Sequence, residues 1–118
     1  MIETEGLTHV HLCVADLDRS LRFYTEVFGM QESFRDGRIV FLRTPGSHDS
    51  IALNPEPARA GAVGGIDHIG FRRTRDQDLD AAIALVEAHG GQLVERGEHA
   101  PGVDYAYVTD PDGYRIEL

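Results

Sequence analysis

Two histidines and a glutamate stand at matched positions of a sequence that repeats itself. The stretch GLTHVHL, residues 6–12, matches GIDHIGF, residues 65–71, and this sets His9 over His68. IAL, residues 51–53, matches IEL, residues 116–118, and this sets Ala52 over Glu117. Internal repeats constrain the whole fold, because each unit must bury its apolar face against another. Three of four symmetry-related positions therefore carry metal-ligating side chains: His9, His68 and Glu117. Two neutral imidazoles and one carboxylate on one side of a divalent cation leave up to three coordination positions open. Non-haem Fe(II) oxygenases use that arrangement, and Mn, Ni, Co or Zn can occupy it too.

The elements that must position these donors can be read from hydrophobic period. Leu7 to Ala15 alternates, with His9, His11 and Cys13 on one side and Val10, Leu12 and Val14 on the other, the period of a half-buried strand. Asp16 offers an N-cap, and Leu17, Leu21, Tyr24, Val27 and Phe28 follow at helical spacing until Gly29 stops the run. Gln31 to Arg35 and Arg38 to Arg43 form a hairpin across Asp36-Gly37, and Ser50 to Asn54 makes a fourth strand. Residues 55–65 concentrate Pro, Ala and Gly and are read as a linker. The pattern then restarts. Ile66 to Arg73 is a strand, and Leu79, Ile83 and Val86 line a helix that Gly90-Gly91 ends. Gln92 to Glu98, Asp104 to Thr109 and Tyr114 to Leu118 are three further strands, with Asp110-Pro111-Asp112-Gly113 suited to a type I turn. The expected fold is α+β: two tandem βαβββ modules, 1–54 and 66–118, in a single 118-residue domain, their curved mixed sheets enclosing a metal cavity.

Composition narrows the partners. A net charge of −9 argues against nucleic acid and anionic membranes, which would repel it. No apolar run approaches the ~20 residues that cross a bilayer. The start MIETEGLT lacks the basic and apolar stretches of a signal peptide, and Cys13 is the single cysteine, so a reducing cytoplasm is the expected compartment. A small molecule is the expected substrate. Eight short strands leave sheet edges to cover, and a homodimer is expected.

The layout resembles the vicinal oxygen chelate superfamily of glyoxalase I, extradiol dioxygenases, methylmalonyl-CoA epimerase, fosfomycin-resistance transferases and bleomycin-binding proteins. HVHLCVADLDRSLRFYTEVFGM is similar to the family's opening strand and helix, and DHIGF and DPDGYRIEL to its second-module hallmarks. In that family the liganding histidine lies seven residues before the helix-capping Asp. The resemblance thus implies His9 rather than His11, with His68 and Glu117 as the other ligands.

The resemblance also bears on the reaction. Glyoxalase I has a fourth ligand, a glutamate, where this chain has Ala52, which demotes glyoxalase chemistry. Extradiol dioxygenases carry a C-terminal signature that Gly97-Glu98-His99, Tyr107, Asp110-Pro111, Gly113 and Glu117 reproduce, with Ala106 in place of a larger aliphatic residue. SHDSIAL is similar to the stretch bearing that family's acid–base histidine. Alignment on IAL puts Asp49 at that position, with His48 one residue away. The implied activity is ring cleavage of a catechol, with Fe(II) favoured. Tyr107 would hydrogen-bond a reacting oxygen, and His99 or His48 would handle the phenolic proton, since free imidazole titrates near neutrality. Two alternatives stand beside it. One is a glyoxalase I-like isomerase or a thiol transferase of the fosfomycin-resistance type; the other is a metal-free, bleomycin-resistance-like sequestering protein. Cys13 reads as a quiet semi-buried thiol, and His89 as a helix C-terminal residue that suits the dipole.

Overall fold

The structure is a computed structural model describing Met1, Glu3, Glu5 and residues 7–118. Gly6, the first residue of the upstream repeat, lies outside the described residues. The described residues form eight strands and two α-helices in the order β1 (Val10–Val14), α1 (Leu17–Phe28), β2 (Gln31–Asp36), β3 (Ile39–Arg43), β4 (Ile51–Pro55), β5 (Ile69–Gly70), α2 (Leu79–Ala88), β6 (Gln92–Ala100), β7 (Val103–Thr109) and β8 (Arg115–Glu117). They make two four-stranded mixed sheets of matching topology, β1-β4-β3-β2 and β5-β8-β7-β6. The expected α+β architecture is present.

Local chemistry explains the elements. Asp16 caps α1 by accepting from the Arg19 N–H, and Gly29 ends it in the left-handed region at φ 66°. Asp78 caps α2 in the same way through the Ala81 N–H. The hairpin between β2 and β3 turns at Gly37, φ 58°. Gly113 donates to the Asp110 carbonyl, which closes the turn ahead of β8.

β5 is shorter than the expected Ile66 to Arg73. Upstream, Ile66 donates to the Val63 carbonyl in a turn that includes Gly64 and Gly65 at positive φ. Downstream, the Arg73 guanidinium bonds the Gln77 carbonyl and Asp104, which draws the chain off the strand direction. The expected linker holds one 3-10 turn, Pro57–Arg59.

One apolar cluster serves both sheets. Phe23 and Tyr24 of α1, Ile83 and Val86 of α2, and Val14, Leu53, Val108 and Ile116 from the strands are all buried in it. Phe28 stacks on Phe71 across the two modules, with ring centroids 4.2 Å apart. A polar joint runs beside this cluster. The Tyr24 hydroxyl donates to buried Asp110 at 2.8 Å, Arg19 pairs with Asp112 at 2.7 Å, and the Tyr114 hydroxyl donates to the Cys13 carbonyl at 2.7 Å. Because α1 feeds one sheet and the Asp110 turn feeds β8, this joint ties the first module to the strand carrying Glu117.

Candidate functional site

Glu117 is where the second sheet gathers its polar side chains. On β8 it lies opposite Tyr107 of β7 and beside Gly70 of β5, so all three share the face turned away from the core. Its Oε2 lies 2.9 Å from His68 Nε2, and its Oε1 lies 2.6 Å from His99 Nε2. Asp67 holds the far side of the His68 ring, Oδ2 to Nδ1 at 2.7 Å. A carboxylate on the second ring nitrogen is what commonly orients a metal-binding imidazole.

His99 reaches Glu117 because of an irregularity in its strand. The β6–β7 register shifts between Glu98 and Ala100, leaving His99 as the extra residue. Such a bulge re-aims a side chain relative to its neighbours. The ring then stacks on Tyr105 with centroids 4.3 Å apart. Tyr107 meets His68 edge-on at 5.0 Å, and the Arg115 guanidinium sits 4.0 Å over the Tyr107 ring. Arg115 also lies 3.5 Å from Glu95 and 3.8 Å from Asp67.

Charge distribution follows these contacts. The hydrogen bond from His99, then the charges of His99 and His68, hold the Glu117 carboxyl below the usual glutamate range. The His68 contact does the same for Asp67. Desolvation, reinforced by the Glu117 charge, pushes the Tyr107 phenol upward, so it stays a proton donor at neutral pH. A carboxylate acceptor thus meets one imidazole at each of its two oxygens.

The other sequence-derived candidates belong to the first sheet. The exposed His9 meets Phe41 edge-on at 5.5 Å and contacts Thr8 Oγ1 at 3.0 Å. His48 is exposed on the loop joining β3 to β4, where Asp49 is engaged by the Thr44 N–H at 2.9 Å. Ala52 is fully buried on β4, between His11 and Phe41 in register. His11 and His68 line one small cavity together with Cys13 and Tyr114. Cys13 donates to Glu56 at 3.4 Å, and burial raises its thiol pKa. His68, Glu117, Tyr107 and His99 are therefore brought together, whereas His9 and His48 are not brought to them within one chain. Among the described residues, no three His, Cys, Asp or Glu side chains converge as a cation site.

Asp67, Arg115 and Tyr105 escaped the sequence reading. Period two does signal Arg115, which alternates with Ile116 on the face of Glu117. Asp67 carries no such signal, since neighbours in a strand point to opposite faces; its contact with His68 exists because β5 begins only at Ile69.

One pair of these donors, His68 with Glu117, is spaced to share a divalent cation. Cis ligands at metal–donor distances of ~2.1 Å stand roughly 3 Å apart, the spacing of His68 Nε2 and Glu117 Oε2.

Paired mixed sheets, each from one βαβββ unit, define a two-module α+β protein with an imidazole–carboxylate cluster on one open face. The chain belongs to the Glyoxalase/Bleomycin resistance protein/Dioxygenase superfamily, whose family description matches residues 6–118. It is 28% identical over 114 residues to a manganese-dependent 2,3-dihydroxybiphenyl 1,2-dioxygenase of Geobacillus genomosp. 3, covering 93% of this chain and 35% of that protein. It is 31% identical over 124 residues to a "Probable lactoylglutathione lyase" of Vibrio parahaemolyticus, covering 95% of this chain and 88% of the relative. The trypanothione-dependent glyoxalase I of Leishmania major superposes with a TM-score of 0.74 at 29% identity, covering 98% and 86% of the two chains. The chain spans about a third of the length of the first dioxygenases it matches. The named relatives are enzymes acting on small molecules, and one is named as metal-dependent. No helix among the described residues is long and apolar enough to cross a membrane.

Proposed function

We propose that the chain is a divalent-metal-dependent enzyme that cleaves the ring of a catechol-type substrate, with His68 and Glu117 of one chain and His9 of a second copy as ligands. The observation supporting this chemistry is the company Glu117 keeps: His68 and His99 at its two oxygens, and Tyr107 opposite it in register. The matched position on the first sheet offers only buried Ala52, so no fourth carboxylate competes for the cation. The shared site is proposed because His9 packs on Phe41 of the first sheet, and His9, His68 and Glu117 do not converge as a three-donor group among the described residues. Fe(II) is favoured, and the Geobacillus relative makes Mn the next choice.

When bound, such a cation supplies Lewis-acid and electron-transfer chemistry to a chelating diol. The chain's own residues do the rest. Asp67 fixes the His68 ring through Nδ1, which leaves Nε2 for ligation. Tyr107 keeps its phenolic proton and offers it to a reacting oxygen near Glu117. His99, released from Glu117 when that carboxylate turns to a cation, would take and return a proton at Nε2. Arg115 over the Tyr107 ring fixes the ring plane.

One observation favours a second reading. The Vibrio lyase is matched over 88% of its length, whereas the dioxygenase is matched over 35%. A glyoxalase I-like lyase therefore stands as the alternative. Oxygen uptake by anaerobically Fe(II)-loaded protein across a catechol panel, with a yellow ring-opened product, tests the first reading. Hemithioacetal turnover with Ni(II) or Zn(II), with no oxygen uptake from any catechol, would replace it with the second.

A further inference from the structure

All eleven basic residues are arginines, and three of them fall within the four positions Arg72-Arg73-Thr74-Arg75. The segment follows directly on β5 and borders a cleft of about 710 Å³ that also contains Glu117 and His99. The cleft is broad, polar and open to solvent, so a ligand there would lie along the surface. The three arginines are not equivalent. Arg73 is committed: its guanidinium pairs with Asp104 and bonds the Gln77 carbonyl at 2.9 Å, pinning the segment against β7. Arg72 and Arg75 are exposed and pair with no carboxylate among the described residues.

Between the Glu117 cluster and these cations lies Gly70. A Cβ built on it would meet nothing within 4 Å, and its backbone does not require glycine. The floor of the cleft there is bare backbone, with room for the body of a ligand. The electrostatics demand a local device as well. A chain of net charge −9 repels an anion in solution, so an anionic substrate needs cations beside the reacting centre. Guanidinium forks suit carboxylate, which they can grip through paired N–H bonds.

We propose that Arg72 and Arg75 bind a carboxylate on the substrate, so that the enzyme selects carboxylated over neutral members of its substrate class. This rests on the cluster of Glu117 as the reacting centre, proposed above, and names the substrate feature read beside it. The ligand's body lies across Gly70, with its metal-chelating end at Glu117 and its carboxylate at the arginines.

Calorimetric binding to metal-loaded, oxygen-free protein tests it with two matched pairs. One pair is 3,4-dihydroxyphenylacetate against its neutral methyl ester; the other is a hemithioacetal of 3-mercaptopropionate against that of its methyl ester. Charge-assisted bonds of this kind predict a preference of about tenfold to a hundredfold for the carboxylated member. Arg72→Gln combined with Arg75→Gln should reduce the preference below about threefold, while the neutral member binds as before. Gly70→Leu should weaken the carboxylated ligand at least about tenfold with an unchanged melting temperature. A preference in the catechol pair supports both the inference and the ring-cleavage reading. A preference confined to the hemithioacetal pair, lost in the double variant, keeps the inference and counts against ring cleavage. The absence of any arginine-dependent preference in either pair overturns the inference, and with catechols bound it leaves ring cleavage standing.

Discussion

Tyr24→Phe removes a single oxygen atom from the joint between the modules, and its cost can be worked from the contacts. Asp110 is 1% exposed and accepts three hydrogen bonds: from the Tyr24 hydroxyl at 2.8 Å, the Asp112 N–H at 2.9 Å and the Tyr114 N–H at 3.0 Å. Losing the phenol leaves the carboxyl two backbone donors, so the variant should lose about 1.5–2.5 kcal/mol, as for a bond to a charged acceptor. Asp110→Ala strands three donors at once, two of them buried, and should cost about 3–5 kcal/mol. The double variant should cost less than the sum, because Phe has no hydroxyl to leave unpaired. The coupling should be about 1–2 kcal/mol. Urea unfolding of the four proteins at pH 7 measures the cycle. A Tyr24→Phe loss under about 0.5 kcal/mol with strict additivity would refute the joint as a working contact.

Further outcomes follow from the same contacts. Burial raises the folded pKa of Asp110 despite its hydrogen bonds, so its contribution is fully present below the ordinary aspartate range and lost as pH rises through the raised value. Wild type should therefore lose stability relative to Asp110→Asn on going upward from about pH 4, read as a difference in urea midpoints. Tyr24 is raised well above 10, chiefly by burial, so its contribution is present below pH 10 and declines above it; the Tyr24→Phe cost should shrink in alkaline urea titrations. Gly91→Ala would bring a Cβ within 2.2 Å of the Thr109 carbonyl oxygen and 2.5 Å of Val86, and should cost about 2 kcal/mol or more by thermal unfolding. Tyr107→Phe should lower kcat of the metal-loaded enzyme about 100-fold, within the range of a positioned proton donor, while the metal Kd changes little.

The repeated letters carried much of this fold to the reader. His9 over His68 and IAL over IEL marked equivalent strands, and those strands do occupy equivalent positions in two sheets of matching order. Capping chemistry was equally plain, since Asp16 and Gly29 bound α1 as their residue types dictate. What pattern could not carry was anything set by a break in period. β5 shrinks to two residues because Gly64, Gly65 and Arg73 bend its ends, and that irregularity is what lets Asp67 reach the ring of its own neighbour. His99 was legible as a residue of interest by resemblance, but its contact with Glu117 depends on a register shift that no spacing reveals. His89 was read only as a residue favourable to the helix dipole; across the modules its Nε2 meets Glu26 at 2.8 Å. Tertiary partners of that kind have no local signature. Ala52 shows the converse, for its side chain alone bears on the ligand count and needs no geometry.

The shared centre is tested most directly by metal content in mixed dimers. His9→Ala and His68→Ala chains, each purified alone after iron or manganese loading, should carry no stoichiometric metal. Co-expressed, half of the dimers pair unlike chains, and each such dimer has one of its two sites intact, so recovery should reach about a quarter of wild type. Recovery near that value, at one metal per intact site, is the result predicted. No recovery in the mixture, or metal retained by His68→Ala alone, would contradict a centre built from His9 of one chain and His68 with Glu117 of the other.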